Sequence, residues 1–167
     1  MPDEVAPADI DEAPHRDENP RLYAERIAAA KADAVMRPDA LVLAADTVVA
    51  AGRRILPKTE DEPAARKCLE LLSGRRHRVL TALVVRAPDG RRSTRLSESV
   101  VAFHRLTAAQ IEDYLASGEW RGKAGGYAIQ GRAAAHIKFI SGSYSGVVGL
   151  PLFETAQMLR GLGWPLP

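Results

Sequence analysis

Cysteine is almost absent from this 167-residue chain, since Cys68 is the only one, and a single thiol excludes both an intrachain disulfide framework and a thiolate metal cluster. Long apolar runs are missing as well, and the acidic opening differs from a secretory signal peptide. Net charge is small, because 23 basic and 21 acidic residues leave a formal charge of +2. These absences predict a soluble cytoplasmic protein that needs neither a nucleic acid nor a membrane as partner.

The remaining composition is that of an ordinary globular protein, with 46% hydrophobic and 26% charged residues. No internal repeat and no linker rich in proline or serine divides the sequence, so we expect one domain over residues 1–167. Two basic clusters, at residues 75–78 and 91–95, are interpreted as solvated strand ends. A nucleic-acid contact is the alternative, although the clusters lack interleaved aromatic residues.

Local signals predict alternating helices and strands. Asn19 as N-cap with Pro20 at the first helical position predicts a helix of about four turns, and the capping-box pair Thr107 and Gln110 predicts another that ends near Gly118. Further helices are expected from Thr59 or Asp61 to about Leu72, and from about Leu152 to Leu159. Strands are predicted at 41–50, 53–56, 77–87, 91–106 and 133–140. The pattern indicates an α/β fold with a mixed sheet, because its hairpins force some antiparallel pairing.

Asp46 interrupts an otherwise apolar strand, "LVLAADTVVA" at residues 41–50. Burying an ionised carboxylate costs several kcal/mol or more unless it is paired, hydrogen-bonded or bound to a metal. Asp46 lies at the end of the apolar run, and ligands gather near strand ends in open α/β sheets. We therefore consider a carboxylate that binds a divalent cation or activates water. A turn-capping or ion-paired aspartate is the alternative.

Three charged residues can reach the same cleft in this coarse structure. Glu12 lies in the acidic opening segment, Lys31 lies beside the apolar stripe of the first helix, and Lys58 follows the first hairpin. A carboxylate suits a hard cation, and lysines suit phosphate oxygens. The alternative for each is a solvated surface charge, with a lysine stem lying on apolar surface.

The segment "GKAGGYAIQG" contains a second group of candidates. Lys123 precedes Gly125 and Gly126, where the backbone can approach a ligand closely, and the amide of Gln130 can donate to and accept from a base edge. The glycine spacing matches neither a P-loop nor a dinucleotide fingerprint, so a plain mobile loop remains the alternative. Cys68 is predicted to be a small core residue. His77, His104 and His136 lack metal-ligand spacing and are predicted to be structural.

Four motifs follow one another over nearly the whole chain: "AADTVV", "LELLSGRRHRVLT", "YLASGEWRGKAGGYAIQG" and "GSYSGVVGLPLFET". Together they resemble the Maf family of nucleoside triphosphate pyrophosphatases, also called septum formation inhibitor proteins. The resemblance implies an elongated α/β fold with a long mixed sheet and a cleft between two lobes, related to the inosine triphosphatase fold, and usually a homodimer. It also implies cleavage of a nucleoside triphosphate between the α and β phosphates into a monophosphate and pyrophosphate. Hydrolysis beside a polyanion needs a cation to offset charge, so we expect Mg or Mn as the cofactor.

The same resemblance assigns roles to particular residues. Asp46 matches the catalytic proton acceptor, while Thr47 and Gln130 match positions that sense the base. Glu12, Lys31, Lys58 and Lys123 match polar positions of the cleft, and Asp46 with Glu12 are the candidate metal ligands. The "YAIQG" form is similar to the thymidine and uridine triphosphate branch rather than the 7-methylguanosine branch.

The sequence departs from the family pattern at its start. Family members usually begin with a strand, the loop "SASPRR" and a helix, and this sequence begins after that segment. The loop would supply a hydroxyl and paired arginines, so we expect a version extended upstream to be the faster enzyme. The alternative function is a degenerate Maf-like protein that binds a nucleotide or a division partner without turnover.

Overall fold

The computed structural model describes residues 4–165, so residues 1–3 and 166–167 of the predicted domain lie outside the described range. The predicted α/β class is confirmed. The helices are α1 (Pro20–Ala34), α2 (Glu62–Leu72), α3 (Ala108–Ala116), α4 (Tyr144–Val148) and α5 (Leu152–Gly161). The strands are β1 (Val42–Ala51), β2 (Arg54–Leu56), β3 (Lys58–Thr59), β4 (Arg76–Arg86), β5 (Arg92–Phe103), β6 (Lys123–Ala124) and β7 (Ile137–Ser141).

The helix starts follow the predicted capping chemistry, with one choice resolved. The Asn19 side chain accepts a hydrogen bond from the Arg21 amide at the start of α1, and α3 has the complete capping box. Asp61, not Thr59, caps α2. The Thr59 hydroxyl is buried and donates to the Trp120 carbonyl at 2.7 Å instead, so it ties β3 to the segment after α3.

The main sheet has five strands in the order β2-β1-β4-β5-β7, and all pairings among its described strands are antiparallel, where the sequence suggested a mixed sheet. The hairpins β1–β2 and β4–β5 require antiparallel pairing for two of the four pairs, and β1–β4 and β5–β7 are antiparallel as well. The strand predicted at 133–140 begins later, because residues Arg132–His136 form a 3-10 helix before β7. A separate pair joins β3 to β6.

The two faces of the sheet are covered by different elements. One face packs against α1, where Ala24, Ala28 and Ala32 are fully buried against small and branched side chains of β1 and β4. Their small size lets the helix axis approach the sheet closely. On the opposite face, α2 covers one end with Leu69 and Leu72 and α3 with Leu115, while α5 covers the other end.

Between the two groups of helices lies a stretch of that opposite face that is only partly covered, since α4 buries Thr81 but leaves Thr47 partly exposed. Val49 and Val79 contact the α2 side, and Leu83 and Val85 contact the α5 side, so Thr47 and Thr81 lie between them. This stretch forms the floor of the predicted cleft. Within residues 4–165, no helix has the length and apolar character that crossing a bilayer requires.

Candidate active site

Two adjoining cavities, of about 270 and about 250 Å³, open beside the middle of β1. Both are lined by Asp46, Thr47, Lys58 and Ala124. The larger cavity also contacts Lys31, Lys123 and Gln130, and the smaller contacts Glu12. The structure therefore brings all seven candidate residues of the sequence to one place, although they are spread from position 12 to position 130.

The cavities form where β1 loses a sheet neighbour, not at a strand end. Asp46 lies within β1 (Val42–Ala51), so the strand-end reason for selecting it was wrong. The short strand β2 pairs only with residues 49–51, and among the described strands no other pairs with this edge of β1 from Val42 to Val48. Asp46 and Thr47 point to opposite faces, because successive strand residues alternate. Both reach the same space because it opens around this free edge.

One side of the cavity is an ion-pair chain. The Lys31 ammonium lies 2.7 Å from Asp46 Oδ1 and 2.7 Å from Glu12 Oε1, so it bridges the two carboxylates. The other oxygen of Glu12 accepts a hydrogen bond from Lys58. Asp46 is the most deeply buried member, with 3% of its side chain exposed against 46% for Lys58. The chain thus runs from the protein interior to the cavity mouth with alternating charge.

Glu12 reaches this chain because α1 holds the preceding coil in place. Tyr23 Oη donates to the backbone carbonyl of Glu12 at 2.7 Å, and Arg26 donates to Glu18 at 2.8 Å and to the carbonyl of Ala13 at 3.1 Å. Three anchors spread over a few residues fix the path of the segment over Lys31. The acidic opening segment is therefore part of the site and not only a solvated lead-in.

The ion-pair chain sets the protonation behaviour of its members. Burial raises the pKa of Asp46 above its ordinary value, and the hydrogen bond from Lys31 offsets this only in part. Burial also acts to raise the pKa of Glu12, but hydrogen bonds from Lys31 and Lys58 outweigh it and the pKa is lowered. Burial acts to lower the pKa of Lys31, yet its two carboxylate partners raise it. Asp46 is thus the carboxylate with the greater proton affinity.

The small β3–β6 pair carries two of the cavity lysines. Lys58 pairs with Ala124 and Thr59 with Lys123 across this ladder, so both lysine side chains start from one short ribbon beside β1. The next residue, Gly125, has φ of 69° and lies so close to β1 that an added Cβ would be 2.7 Å from Val49 Cγ1. The glycine serves close packing against the sheet, whereas the sequence suggested close approach to a ligand.

The other side of the cavity is neutral. Thr47 and Thr81 are direct cross-strand partners of β1 and β4, and their hydroxyl oxygens are 3.0 Å apart. The Thr81 hydroxyl donates to the carbonyl of Gly146 in α4 at 2.7 Å. Val79, Val147 and Val148 complete this side. It therefore combines apolar surface with a few oriented polar groups, as small-molecule sites usually do.

The loop that carries Gln130 is anchored by two buried groups. His77 Nε2 lies 2.7 Å from Tyr127 Oη, and the Tyr114 hydroxyl accepts the amide of Ala128 at 3.0 Å. Burial lowers the pKa of His77 to about 4, so its ring is neutral at physiological pH. Gln130 itself is exposed at the cavity mouth. The glycine-rich segment is thus held on both sides, which argues against a plain mobile loop.

The structure adds residues that the sequence interpretation missed. Thr81 supports Thr47, and Tyr127 with His77 supports the Gln130 loop. The signal for Thr81 was present in the sequence, since it is a hydroxyl within the apolar run of β4 just as Asp46 is a carboxylate within β1. Cys68 is buried in the core as predicted. Among residues 4–165, no group of three or more histidine, cysteine, aspartate or glutamate side chains is arranged to hold a metal.

Comparison with known proteins identifies relatives over almost all of the chain. The family model described as "Maf-like protein" matches residues 1–162. A "dTTP/UTP pyrophosphatase" of Rhodospirillum rubrum is 61% identical over 166 residues, covering 98% of this chain and 79% of the relative. The protein of that name from Gluconobacter oxydans is 63% identical, covering 96% and 77%, and that of Granulibacter bethesdensis is 60% identical, covering 93% and 81%.

Proposed function

The chain belongs to the family of Maf-like proteins, and from this premise we propose that it hydrolyses dTTP and UTP to the nucleoside monophosphate and pyrophosphate. The observation that carries the proposal is the pairing of a buried carboxylate with several lysines around one cavity. Lysines attract a polyanion, and the carboxylate supplies a base beside it. The relatives at about 60% identity support the choice of substrate.

In this proposal Asp46 accepts a proton from the attacking water. The water oxygen bonds to the α-phosphorus, the bond from that phosphorus to the bridging oxygen breaks, and pyrophosphate leaves. A carboxylate whose pKa is raised by burial is a stronger base than an ordinary aspartate, because its proton affinity lies closer to neutrality. Lys31 keeps Asp46 oriented through their 2.7 Å contact.

The lysines of the cavity would bind the phosphates. Lys58 and Lys123 lie at the mouth on the β3–β6 ribbon, and Lys31 lies deeper, between two carboxylates. Each charge-assisted hydrogen bond from such a lysine contributes about 1.5–3 kcal/mol. Thr47 and Gln130 lie on the neutral side, where we place the pyrimidine base.

The carboxylates suit a divalent cation as the cofactor. Asp46 and Glu12 both contact the one ammonium nitrogen of Lys31 at 2.7 Å, so their oxygens already converge on a positive charge. Two oxygen ligands fit Mg²⁺ or Mn²⁺, since Mg²⁺ is usually bound by one or two carboxylates together with substrate phosphates and water. Asp46 and Glu12 would hold the ion, and it would offset the negative charge that develops on the phosphates.

The test is product analysis with a panel of nucleoside triphosphates in the presence of magnesium or manganese. We expect dTTP and UTP to be consumed fastest, with monophosphate and intact pyrophosphate as products, and no turnover after chelation of the metal. Release of single phosphates would contradict the reaction, and faster consumption of purine nucleotides would contradict the substrate. Turnover that survives chelation would contradict the metal. Homodimer formation and a cytoplasmic location remain predictions.

A further inference from the structure

The Thr47 and Thr81 hydroxyls form a directed hydrogen-bond chain. Each hydroxyl has one proton to donate and two lone pairs to accept with. The Thr81 proton goes to the carbonyl of Gly146 at 2.7 Å, because a carbonyl oxygen can only accept. In the 3.0 Å hydrogen bond between the two threonine hydroxyls, Thr47 must then be the donor and Thr81 the acceptor. The direction of the chain is therefore Thr47 to Thr81 to Gly146.

This direction fixes what Thr47 offers to the cavity. Its single proton points to Thr81, away from the space that Thr47 lines, so its oxygen presents only lone pairs there. Thr81 cannot reverse the chain readily, since it is 1% exposed and reversal would remove the shorter of the two hydrogen bonds that the Gly146 carbonyl accepts, leaving only that from the Gly149 amide at 3.1 Å. An ordinary threonine at a cavity wall could donate or accept, but this one is restricted to accepting.

We propose that Thr81 is a positioning residue that holds the Thr47 hydroxyl as an acceptor and thereby selects bases with an N–H group at N3. The proposal rests on the proposed function, because it takes the base to lie beside Thr47. Uracil and thymine carry a proton on N3, whereas N3 of cytosine carries a lone pair that would face the lone pairs of Thr47. The two hydroxyls thus explain a preference for uracil over cytosine. Gln130 alone does not explain it, because an amide side chain can turn to present either its donor or its acceptor to the base.

The register of β1 against β4 makes the arrangement possible. Thr47 and Thr81 are direct partners in the ladder, so their side chains leave the same face of the sheet side by side. Gly146 comes within reach because α4 packs against β4 and β5 with no side chain of its own at this position. An added Cβ on Gly146 would lie 3.2 Å from the Ser97 hydroxyl oxygen, so the helix is close to the sheet.

The test compares UTP with CTP, which differ in this edge of the base, in wild type, four single variants and one double variant. Thr81→Val keeps the shape and removes the hydroxyl, so Thr47 regains the freedom to donate. We expect the ratio of kcat/KM for UTP over CTP to fall about fivefold, the worth of one hydrogen bond. Thr81→Ser keeps the hydroxyl, and with it the hydrogen-bond chain, so this variant should keep the wild-type ratio.

Thr155→Val is the matched control. Thr155 is also a buried threonine whose hydroxyl donates to a backbone carbonyl, that of Pro151 at 2.8 Å, but it lies in α5. We expect this variant to lose a similar amount of thermal stability with an unchanged UTP:CTP ratio. If Thr81→Val behaves in the same way, Thr81 is only structural and the proposal is overturned.

A double-variant cycle separates the hydroxyl effect from a displacement of α4. Thr47→Val removes the acceptor, so adding Thr81→Val to it should change the ratio no further. A persistent effect of Thr81→Val in the Thr47→Val background would show that it acts by moving the helix, and would overturn the proposal.

Binding of α,β-methylene analogues of UTP and CTP, measured by calorimetry, gives a readout that needs no turnover. If the wild-type protein hydrolyses neither nucleotide, the proposed function fails. The present proposal still stands if the UTP analogue binds more tightly and Thr81→Val reduces that preference. It fails if the wild type shows no preference for the uracil analogue or binds neither.

Discussion

The two sides of the cavity differ in how they hold their polar groups. The α1 side holds a chain of ion pairs formed by Asp46, Lys31, Glu12 and Lys58. The opposite side holds neutral polar groups, those of Thr47, Thr81 and Gln130. Asp46 and Thr47 are adjacent in β1 and belong to different sides because strand side chains alternate. One strand therefore serves both the charged and the neutral chemistry. This division suits a substrate with a polyanionic tail and a neutral base.

Removing the carboxylate from the charged side should have the largest effect. We expect Asp46→Asn to lower kcat/KM for UTP by about a thousandfold, because general-base assistance contributes roughly 10²–10⁴. The UTP:CTP ratio should stay unchanged, since the neutral side is intact. Asp33→Asn, at an exposed α1 carboxylate that pairs with Arg86, is the control. Pyrophosphate release measures both, and full activity of Asp46→Asn would refute its role.

Asp46→Asn should also keep the protein folded at neutral pH. A pKa raised in the folded state means that the fold binds the proton more tightly than the unfolded chain does. The resulting stabilisation is present at low pH and is lost as pH rises through the folded pKa. The neutral amide avoids that loss, so the melting temperature of the variant should equal or exceed that of wild type.

The protein should lose folding stability at acidic pH because of His77, which supports the Gln130 loop of the neutral side. Burial lowers its pKa from 6.5 to about 4, so the folded state resists protonation. Stability is fully present above about pH 6.5 and decreases as pH falls toward about 4, by about 3 kcal/mol in total. His77→Gln cannot take up this proton and should lack that part of the slope. Urea unfolding at a series of pH values measures it, and parallel curves for the two proteins would contradict the prediction.

Removing the bridging lysine should destabilise the charged side more modestly. Lys31→Met leaves Asp46 and Glu12 near each other without their shared cation, which we expect to cost about 2 kcal/mol of unfolding free energy, since the lysine is partly exposed. Adding Asp46→Asn should recover part of that loss. Lys67→Met, on the exposed face of α2, is the control and should change little. Urea denaturation at neutral pH distinguishes these cases.

The smallest predicted effect concerns the exposed amide of the neutral side. Gln130→Ala should reduce the preference for UTP over other triphosphates by about tenfold, or about 1.4 kcal/mol, with little change in maximal rate on the best substrate. Gln157→Ala, at an exposed position in α5, should leave the preference unchanged. Competition assays with mixed nucleotides measure the ratio, and equal behaviour of the two variants would remove Gln130 from base recognition.

Most secondary structure was predictable because its signals are local. Asn19 and Pro20 start α1, and Thr107 with Gln110 starts α3, since a capping side chain acts on amides two or three residues away. The errors arise where distant contacts compete. Thr59 resembles an N-cap but bonds to Trp120 instead, and the alanines at 133–135 adopt a 3-10 helix before the last strand.

The candidate residues also came from the sequence, but their arrangement did not. The sequence by itself determined that Asp46 is a carboxylate in an apolar strand and that lysines and a glutamine are available to meet a nucleotide. The tertiary structure decided that Lys31 bridges Asp46 and Glu12, and that Thr47 pairs with Thr81. It also decided that β2 ends at the point where the cavity opens. The physical reason is that strand register and helix packing depend on the apolar burial of the whole core. A short stretch of sequence shows only its own residues and not the distant residues against which they pack.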